Sequence, residues 1–272
     1  MNSKLSQNIF NIKNKTIVLT GSAGRIGEHF AHVLSSNGAN VILVDIQEEK
    51  NKKIENDLKK FYKTKPLAVN TDISKEIEVK LLIKTILKNY KKIDVLINNA
   101  HFISRDHSKR DASFENYPTE LWDSMVNQNL RSLFLCSREI GKVMLKQKNG
   151  IMVNISSIYG INGADQRIYG KSKLNSPSPY AVTKGGLVNF TKYLASYWHG
   201  KNIRVNTLTL GGVYDKKLHR DKTFIKKYSE KTILGRMANK SDFDGSLLFL
   251  VSEASAYVTG TNLIVDGGWS SW

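Results

Sequence analysis

A glycine-rich turn near the N-terminus constrains the fold of this chain more than any other feature. Residues 15–20 form a short apolar run, residues 21–27 (Gly-Ser-Ala-Gly-Arg-Ile-Gly) follow directly, and a helical pattern continues to about Asn37. Glycines allow a tight turn and a close backbone approach, so a pyrophosphate can bind the N–H groups at the start of the helix. This order of strand, turn and helix predicts a dinucleotide site that includes Gly21, Ser22, Arg25, Ile26 and Gly27.

An acidic residue follows the second strand pattern. Residues 40–44 form that pattern, which ends at Asp45, eighteen residues after Gly27. In dinucleotide sites an acid at this point binds the adenosine ribose hydroxyls, and its charge repels a 2′-phosphate. Asp45 therefore favours NAD, with NADP as the weaker alternative. The competing interpretation is a helix-end glycine and an unrelated turn aspartate.

Length and composition fit one cofactor-binding domain. The 272 residues contain no linker-like or low-complexity tract, so we predict an N-terminal extension at 1–14 and a single domain at 15–272. No run of about 18 apolar residues predicts a membrane span, and the polar N-terminus lacks the apolar core of a secretion signal. The single cysteine, Cys136, lies in an apolar helical pattern and cannot form an internal disulfide. We therefore expect a cytoplasmic protein in which Cys136 serves packing.

The net charge of +17 could indicate a polyanionic partner. The lysines, however, are spread along the whole chain and form no concentrated basic motif. A generally lysine-rich composition explains the charge better. We predict no nucleic-acid partner and no membrane partner.

Strand and helix patterns alternate along the rest of the chain. This alternation predicts an α/β fold of the doubly wound Rossmann type, with helices on both faces of a parallel sheet and ligands beyond the carboxyl ends of the strands. The further strand patterns lie at 66–70, 93–98, 151–156, 203–208 and 263–265, and helical patterns lie near 75–89, 119–147, 180–198 and 240–251.

With these elements placed, the chain resembles the short-chain dehydrogenase/reductase family, in its compact single-domain branch, over nearly its full length. The matching motifs are Thr20-Gly21 to Gly27, Asp72, Asn98-Asn99-Ala100, Asn129, Asn154 to Ser157, Tyr180-x-x-x-Lys184, 203–206 (Ile-Arg-Val-Asn) and the segment 257–268. The resemblance implies a seven-stranded parallel sheet and a nicotinamide cofactor. It also implies a catalytic set of Asn129, Ser157, Tyr180 and Lys184, and cofactor contacts from Asp72, Ile73, Asn99, Ala100, Val213, Tyr180 and Lys184.

Two tyrosines compete for the catalytic position. Tyr169 and Lys173 have the same spacing as Tyr180 and Lys184, and Tyr169 lies closer to the usual distance from Ser157. Two prolines, at 177 and 179, would interrupt a helix that continues from Tyr169, whereas residues 181–198 are proline-free and apolar at helical spacing. We therefore choose Tyr180 and interpret 161–179 as a loop with an insertion. Tyr169 is then either a substrate-loop residue or an exposed tyrosine.

The chemistry follows from the side chains. A phenol loses its proton near pH 10, and an adjacent ammonium on Lys184 is expected to lower the pKa of Tyr180 so that it acts as acid or base. By resemblance, Lys184 also holds the nicotinamide ribose, Ser157 hydrogen-bonds the substrate oxygen, and Asn129 supports a water-linked proton path. Hydride then moves between the nicotinamide and a substrate carbon.

Four residues depart from the family pattern, and one of them, Leu210, replaces the proline that is usual before Gly211. Arg25 stands at the middle glycine of the compact branch, where it either contacts a cofactor phosphate or faces solvent. Its guanidinium would weaken the NAD preference if it reached a 2′-phosphate. His101 stands where the family often has glycine, and without a ligand cluster it indicates no metal site. Asp215 stands where a threonine often contacts the cofactor, so its role is not assigned.

The substrate must be inferred from loops at about 101–117, 161–179 and 213–236. Their basic residues favour an anionic small molecule, and the long insertion and the C-terminal residues 268–272 resemble a subgroup associated with flagellin modification and nonulosonic sugars. This likeness implies a sugar or sugar phosphate. Alternatives are a nucleotide-sugar epimerase or dehydratase with retained NAD, favoured by the glycine spacing, and a non-catalytic NAD-binding regulatory protein. The family also implies a homodimer or homotetramer. The basic loop residues are Arg105, Lys109, Arg110, Arg167, Lys171, Lys216, Lys217, Arg220, Lys222, Lys226, Lys227, Lys231 and Arg236.

Overall fold

The computed structural model describes residues 8–104, 106–170, 175–216, 219 and 221–272. Its strands form one seven-stranded parallel sheet in the order β3-β2-β1-β4-β5-β6-β7. This confirms the predicted fold class, and each predicted strand lies within two residues of an observed one. The strands are β1 (Thr16–Thr20), β2 (Asn40–Asp45), β3 (Leu67–Asn70), β4 (Val95–Asn98), β5 (Gly150–Ser157), β6 (Ile203–Leu210) and β7 (Asn262–Val265).

Helices cover both faces of the sheet. One core holds side chains from the first, second and last of these helices, and the other holds side chains from the third, fifth and sixth. The second, fourth and seventh helices are absent from the sequence prediction. The helices are α1 (Arg25–Ser36), α2 (Glu48–Phe61), α3 (Glu76–Tyr90), α4 (His107–Arg110), α5 (Thr119–Gln147), α6 (Ser178–Tyr197), α7 (Lys222–Ser229) and α8 (Asp244–Val251).

The central strands are apolar without alternation because both of their faces are buried. Along β1, Ile17 and Leu19 enter one core, while Val18 enters the other, and all three are fully buried. A strand covered on both faces needs apolar residues at successive positions. The same constraint explains why the sequence of β1 shows a continuous apolar run rather than an amphipathic pattern.

A buried polar network joins the sheet to the helices beneath the carboxyl ends of the strands. The amide of Asn98 donates to the Oδ1 of Asn154 at 2.8 Å, and the Nδ2 of Asn154 donates to the hydroxyl of Thr191 at 2.8 Å. The hydroxyl of Thr207 donates to the same Thr191 oxygen at 2.7 Å. Since a buried polar group without a partner costs free energy, this network fixes β4, β5, β6 and α6 in one register.

The segment between β5 and α6 separates the two candidate tyrosines. Tyr169 belongs to a short 3-10 helix (Gln166–Tyr169), whereas Tyr180 lies in the first turn of α6. Pro177 occupies the N-cap of α6 and Pro179 follows within the first turn, where proline is compatible with a helix. The prolines therefore mark the start of the helix that carries Tyr180, as the sequence indicated.

Cys136 and part of the N-terminal segment are both buried. Cys136 is fully buried, and burial raises the pKa of its thiol to about 12, so it serves packing as predicted. Ile12 is buried in the core, and the backbone of Ile9 accepts a hydrogen bond from Ala254, so part of the predicted extension contacts the domain. Among the described residues, no helix has the length and apolar character needed to cross a membrane.

Close packing at Gly27 yields a stability prediction. A Cβ at this position would overlap the carbonyl oxygen of Gly21, so Gly27→Ala should force the glycine-rich turn away from α1 and lower the free energy of unfolding by about 1–3 kcal/mol. Urea unfolding measures the effect. In the matched variant Gly245→Ala, on α8, the new Cβ meets no atom within 4 Å and no loss is expected. Equal stability of the two variants would contradict the packing constraint.

Candidate active site

The glycine-rich turn packs between the end of β2 and the residues that follow β4. The N–H groups of Gly21 and Ser22 donate to the carbonyl of Val44 at 2.8 and 3.3 Å. Gly21 has a φ of +66°, and a Cβ there would lie 2.6 Å from the Cα of Ala100. Only glycine accommodates both the left-handed backbone and this approach.

The start of α1 supplies unpaired backbone donors. Gly24 is the N-cap and provides no side-chain cap, so the first amides of α1, including those of Arg25 and Ile26, have no acceptor within the helix. Donors at a helix N-terminus fit a phosphate group. The hydroxyl of Ser22 points elsewhere, since it is buried and donates to the Oδ1 of Asn51 at 2.7 Å.

Asp45 contributes to the shape of the turn. Its Oδ2 accepts from the N–H of Ala23 at 2.9 Å and its Oδ1 accepts from the N–H of Gln47 at 3.0 Å. A carboxylate has about four acceptor positions, so these bonds leave acceptor capacity for ribose hydroxyls. The acid at the end of β2 therefore both supports the glycine-rich turn and presents a negative charge beside it.

Asn99 ties the ends of β1 and β4 together. The hydroxyl of Thr20 accepts from the N–H groups of Asn99 and Ala100, both at 3.1 Å. The amide of Asn99 donates to the carbonyls of Thr20 and Gly21 at 3.0 and 3.1 Å. These bonds place Ala100 at the rim of the cleft.

Asp72 and Ile73 lie after β3. The Oδ1 of Asp72 accepts from the N–H and hydroxyl of Ser74 at 3.0 and 2.6 Å, so this oxygen stabilises the turn before α3. Ile73 lines a small cavity at the carboxyl ends of the strands, together with Ala100 and Lys184. The structure thus brings Ile73 to the site and gives the Asp72 carboxylate a local structural contact.

Tyr180 and Lys184 lie one turn apart on α6. Ser157, at the end of β5, adjoins the phenol of Tyr180 and favours its ionised form. Lys184 is 6% exposed, and its Nζ donates to the carbonyl of Ile155 at 2.8 Å. Three of the predicted catalytic side chains therefore converge at one place.

The prediction that Lys184 lowers the pKa of Tyr180 is wrong, because the pKa of Tyr180 is raised. Burial raises the pKa of Tyr180, and the Ser157 hydrogen bond and the charge of Arg25 lower it only in part. Burial also lowers the pKa of Lys184 to about 8. The reason is physical: both groups are removed from water, and the ammonium is directed to the Ile155 carbonyl.

Asn129 clamps the chain that follows β4. Its Oδ1 accepts from the N–H of Phe102 at 2.6 Å, and its Nδ2 donates to the carbonyl of Phe102 at 2.9 Å. The side chain therefore reaches from the middle of α5 to the segment next to His101. This contact gives Asn129 a positioning role that the sequence did not indicate.

Aromatic side chains form a wall next to Tyr180. The hydroxyls of Tyr159 and Tyr169 lie 3.3 Å apart, and the ring of Tyr159 meets that of Tyr180 edge-on, with centroids 6.5 Å apart. Tyr169 stacks on Phe224 of α7 at 5.6 Å. Of the two roles left open for Tyr169, the exposed one is wrong, because this side chain is half-buried in the aromatic wall.

Tyr159 and Tyr228 were missed by the sequence analysis. Tyr159 follows Ser157 by two residues, and this proximity was the available signal. Tyr228 is distant in sequence, and its hydroxyl accepts from the N–H of Gly212, the residue before Val213. Val213 is buried and pairs with Ala238 in an isolated bridge.

Two residues that depart from the family pattern contact each other. The guanidinium of Arg25 lies 3.4 Å from the Asp215 carboxylate, which joins the glycine-rich turn to the segment after β6. The N–H of Asp215 also donates to the Nδ1 of His219 at 2.9 Å. Arg25 thus faces the cleft rather than solvent alone, and its charge reaches Tyr180.

Several basic residues of the predicted rim are paired with acids. Asp165 contacts Arg167 at 2.8 Å and also contacts Lys231, and Asp242 contacts Arg236 at 2.6 Å. These pairs reduce the positive charge that the sequence suggested for the rim. Arg105, Lys171, Lys217 and Arg220 lie outside the described residues.

Comparisons with known proteins agree with this geometry. The sequence model of a family described as enoyl-(acyl carrier protein) reductase matches residues 21–270. The flagellin modification protein A of Campylobacter coli is 31% identical over 95% of this chain and 99% of its own length. A short chain dehydrogenase from Leptospira borgpetersenii with bound NAD+ has a TM-score of 0.82 at 34% identity, covering 97% of this chain and 96% of that one. A gluconate 5-dehydrogenase from Burkholderia cenocepacia with NADP and tartrate has a TM-score of 0.84 at 25% identity, covering 97% and 98%.

The chain therefore belongs to the short-chain dehydrogenase/reductase family. It is an NAD(P)-dependent enzyme that acts on CH–OH or C=O groups. The glycine-rich turn, the unpaired amides at the start of α1 and the buried Lys184 are compatible with such a dinucleotide.

The clamp at Asn129 can be tested by stability. Asn129→Ala removes both hydrogen bonds to Phe102, and we expect the free energy of unfolding to fall by about 1–2 kcal/mol, at about 0.5–1 kcal/mol for each bond. Chemical denaturation measures this loss. The control Gln128→Ala removes one hydrogen bond within α5, to Ser124, and should cost less than Asn129→Ala. A smaller loss for Asn129→Ala than for Gln128→Ala would contradict the clamp.

Proposed function

We propose that this enzyme interconverts a secondary alcohol and a ketone in a small polyhydroxylated molecule, with Tyr180 as the acid or base. The observation that carries the proposal is the convergence of Tyr180, Ser157 and Lys184 beside the glycine-rich turn. Tyr180 adjoins Ser157 and stands one turn before the buried Lys184. A hydroxyl pair of this kind can bind one substrate oxygen and transfer a proton to or from it.

Each side chain has a defined task in this reaction. Because burial raises the pKa of Tyr180, its phenol is protonated at neutral pH and can donate to the oxygen of a ketone. Ser157 binds the same oxygen and stabilises the charge that develops on it. In alcohol oxidation the phenolate accepts the hydroxyl proton, so oxidation should increase with pH. The nicotinamide, when bound, supplies or accepts the hydride.

Backbone amides and side chains of the cleft would hold the cofactor. The amides of Arg25 and Ile26 would bind the pyrophosphate, Asp45 the adenosine ribose, and Lys184 the nicotinamide ribose. Ile73, Ala100 and Val213 would line the remaining contacts. Asp45 and the NAD+ bound to the Leptospira relative support NAD, while the NADP bound to the Burkholderia relative and the position of Arg25 support the weaker alternative.

A hydroxylated substrate fits the aromatic wall. The phenols of Tyr159 and Tyr169 offer donors and acceptors next to Tyr180, and aromatic faces suit the apolar faces of sugar rings. The names of the flagellin modification protein and of the gluconate 5-dehydrogenase support a sugar or sugar acid. Because Asp165 and Asp242 pair with three of the basic rim residues, an anionic substrate would depend on the other lysines and arginines of the rim and on Arg25.

We further propose a homodimer or homotetramer in the cytoplasm. Phe190, Tyr193 and Tyr197 stack along α6, and the last two are 58% and 68% exposed. Phe134 on α5 is 46% exposed. An exposed apolar surface on two long helices suits contact with a second copy of the chain.

The catalytic assignment predicts a large difference between the two tyrosines. Tyr180→Phe removes the transferable proton, so kcat should fall by about 10²–10⁴-fold while dinucleotide affinity stays within about threefold. Tyr169→Phe removes a substrate contact and should mainly raise KM. Steady-state kinetics with sugars, sugar acids and simple polyols, together with dinucleotide titration, measure both. A Tyr180→Phe variant with near-normal kcat would overturn the assignment.

The cofactor preference predicts a second result. Asp45→Asn keeps a side-chain oxygen that can accept from Ala23 or Gln47 but removes the charge that repels a 2′-phosphate. We expect the ratio of NADPH to NADH affinity to rise by about tenfold, which corresponds to about 1.4 kcal/mol. Fluorescence titration with both cofactors measures the ratio, and Asp123→Asn on the exposed part of α5 is the control. An unchanged ratio in Asp45→Asn would exclude Asp45 as the selecting residue.

A further inference from the structure

His101 occupies a fixed position beside the catalytic pair. Its ring meets the ring of Tyr180 edge-on, with centroids 4.9 Å apart and an interplanar angle of 87°. Both backbone polar groups of the next residue, Phe102, are hydrogen-bonded to the side chain of Asn129. The imidazole is therefore held between the end of β4 and α6.

The Nε2 of His101 is the unusual atom in this arrangement. It is buried, and it has no hydrogen-bond partner in the part of the chain that the structure describes. Leaving a buried polar nitrogen unpaired costs about 1–3 kcal/mol. Because native proteins rarely accept this cost, such an atom points to a small polar ligand.

A cavity lined in part by His101 has the size of one water molecule. The cavity measures about 20 Å³, and its wall includes His101, Lys184, Asn129, Thr20 and Asn98. A volume of about 10–15 Å³ is enough for one water, provided that two or more polar groups surround it. This wall meets both conditions.

Burial, together with the charge of Lys184, keeps the imidazole neutral. Burial, followed by the charge of Lys184, holds the pKa of His101 well below its usual range. Lys184 and His101 are the titratable residues of the cavity wall within the described ranges, and α5 and β1 contribute neutral side chains there. Tyr180 adjoins both from α6, and the charge of Arg25 reaches Tyr180 from the glycine-rich turn. A neutral imidazole has one nitrogen that can accept a hydrogen bond.

We propose that His101 is a positioning residue for Lys184: its Nε2 accepts a hydrogen bond from a water in this cavity, and that water accepts one from the Lys184 ammonium. The water replaces part of the hydration that Lys184 loses on burial. The charged form of Lys184 is thereby kept over a wider pH range. The proposal rests on the proposed function in one respect, namely that this ammonium holds the ribose of the dinucleotide.

The consequence is a pH dependence of cofactor binding. Burial lowers the pKa of Lys184 to about 8, so the ammonium is present below that pH and is lost as the pH rises through it. A variant without the acceptor nitrogen stabilises the ammonium less, and its Lys184 loses the proton at a lower pH. If the pKa of Lys184 falls by one unit, the fraction of Lys184 that is protonated falls by up to tenfold at pH values above the transition.

The experiment compares dinucleotide affinity from pH 6 to pH 9 in four full-length proteins by fluorescence titration. His101→Phe keeps a ring against Tyr180 and removes the acceptor. Its affinity should equal that of the wild type within about twofold at pH 6 and should be about 3–10-fold weaker at pH 8.5. His101→Gln supplies an amide oxygen as acceptor and should recover most of the wild-type curve.

His32→Phe is the matched control, because His32 makes the same kind of edge contact with Tyr62, at 5.8 Å, outside the site. Its curve should superimpose on that of the wild type. Identical curves for His101→Phe and the wild type would overturn the proposal. So would an equal loss at every pH, which would indicate packing alone, or a wild-type curve without a transition near pH 8.

The same proteins separate this proposal from the proposed function. If the wild type binds dinucleotide but oxidises no alcohol and reduces no ketone, the enzymatic proposal fails while the binding curves still decide the role of His101. If turnover is normal and the binding curves coincide, the role of His101 fails and the function stands.

Discussion

The close contact between Gly21 and Ala100 is the constraint on which the site depends. It brings the glycine-rich turn of β1 against the end of β4, and the hydroxyl of Thr20 fixes this contact by accepting from two successive backbone N–H groups. From this junction, α1 starts with unpaired amides on one side, and His101 and the Asn129 clamp follow on the other. A side chain at position 21 would separate the two strand ends and with them the two halves of the cleft.

The second organising feature is the removal of charged and polar groups from water. Tyr180 and Lys184 are both displaced from their usual pKa, in opposite directions, because burial penalises the phenolate and the ammonium alike. The polar network of Asn98 and Asn154 lies directly beneath and keeps the strands in register. In the proposed reaction, burial and the neighbouring Ser157 would therefore set the proton affinity of Tyr180.

Much of the site could be predicted from spacing, yet several roles could not. The choice of Tyr180 over Tyr169 followed from two prolines, because proline restricts where a helix can begin. Spacing could not show that Asn129 binds the backbone of Phe102 or that Asp45 supports the glycine-rich turn. Those contacts join residues far apart in the chain, and their partners are backbone groups that carry no signature in the sequence.

By itself, the order of residues determined the parallel sheet and the glycine-rich turn, and it favoured Tyr180 over Tyr169 as the reactive phenol, because strand burial, glycine conformation and helix starts are local properties of the chain. Only the tertiary structure decided the direction of the pKa shifts, the pairing of Arg25 with Asp215 and the pairing of Asp165 with Lys231. These depend on burial and on distances between side chains brought together by folding. The aromatic wall around Tyr169 belongs to the same category, since its members come from three separate segments.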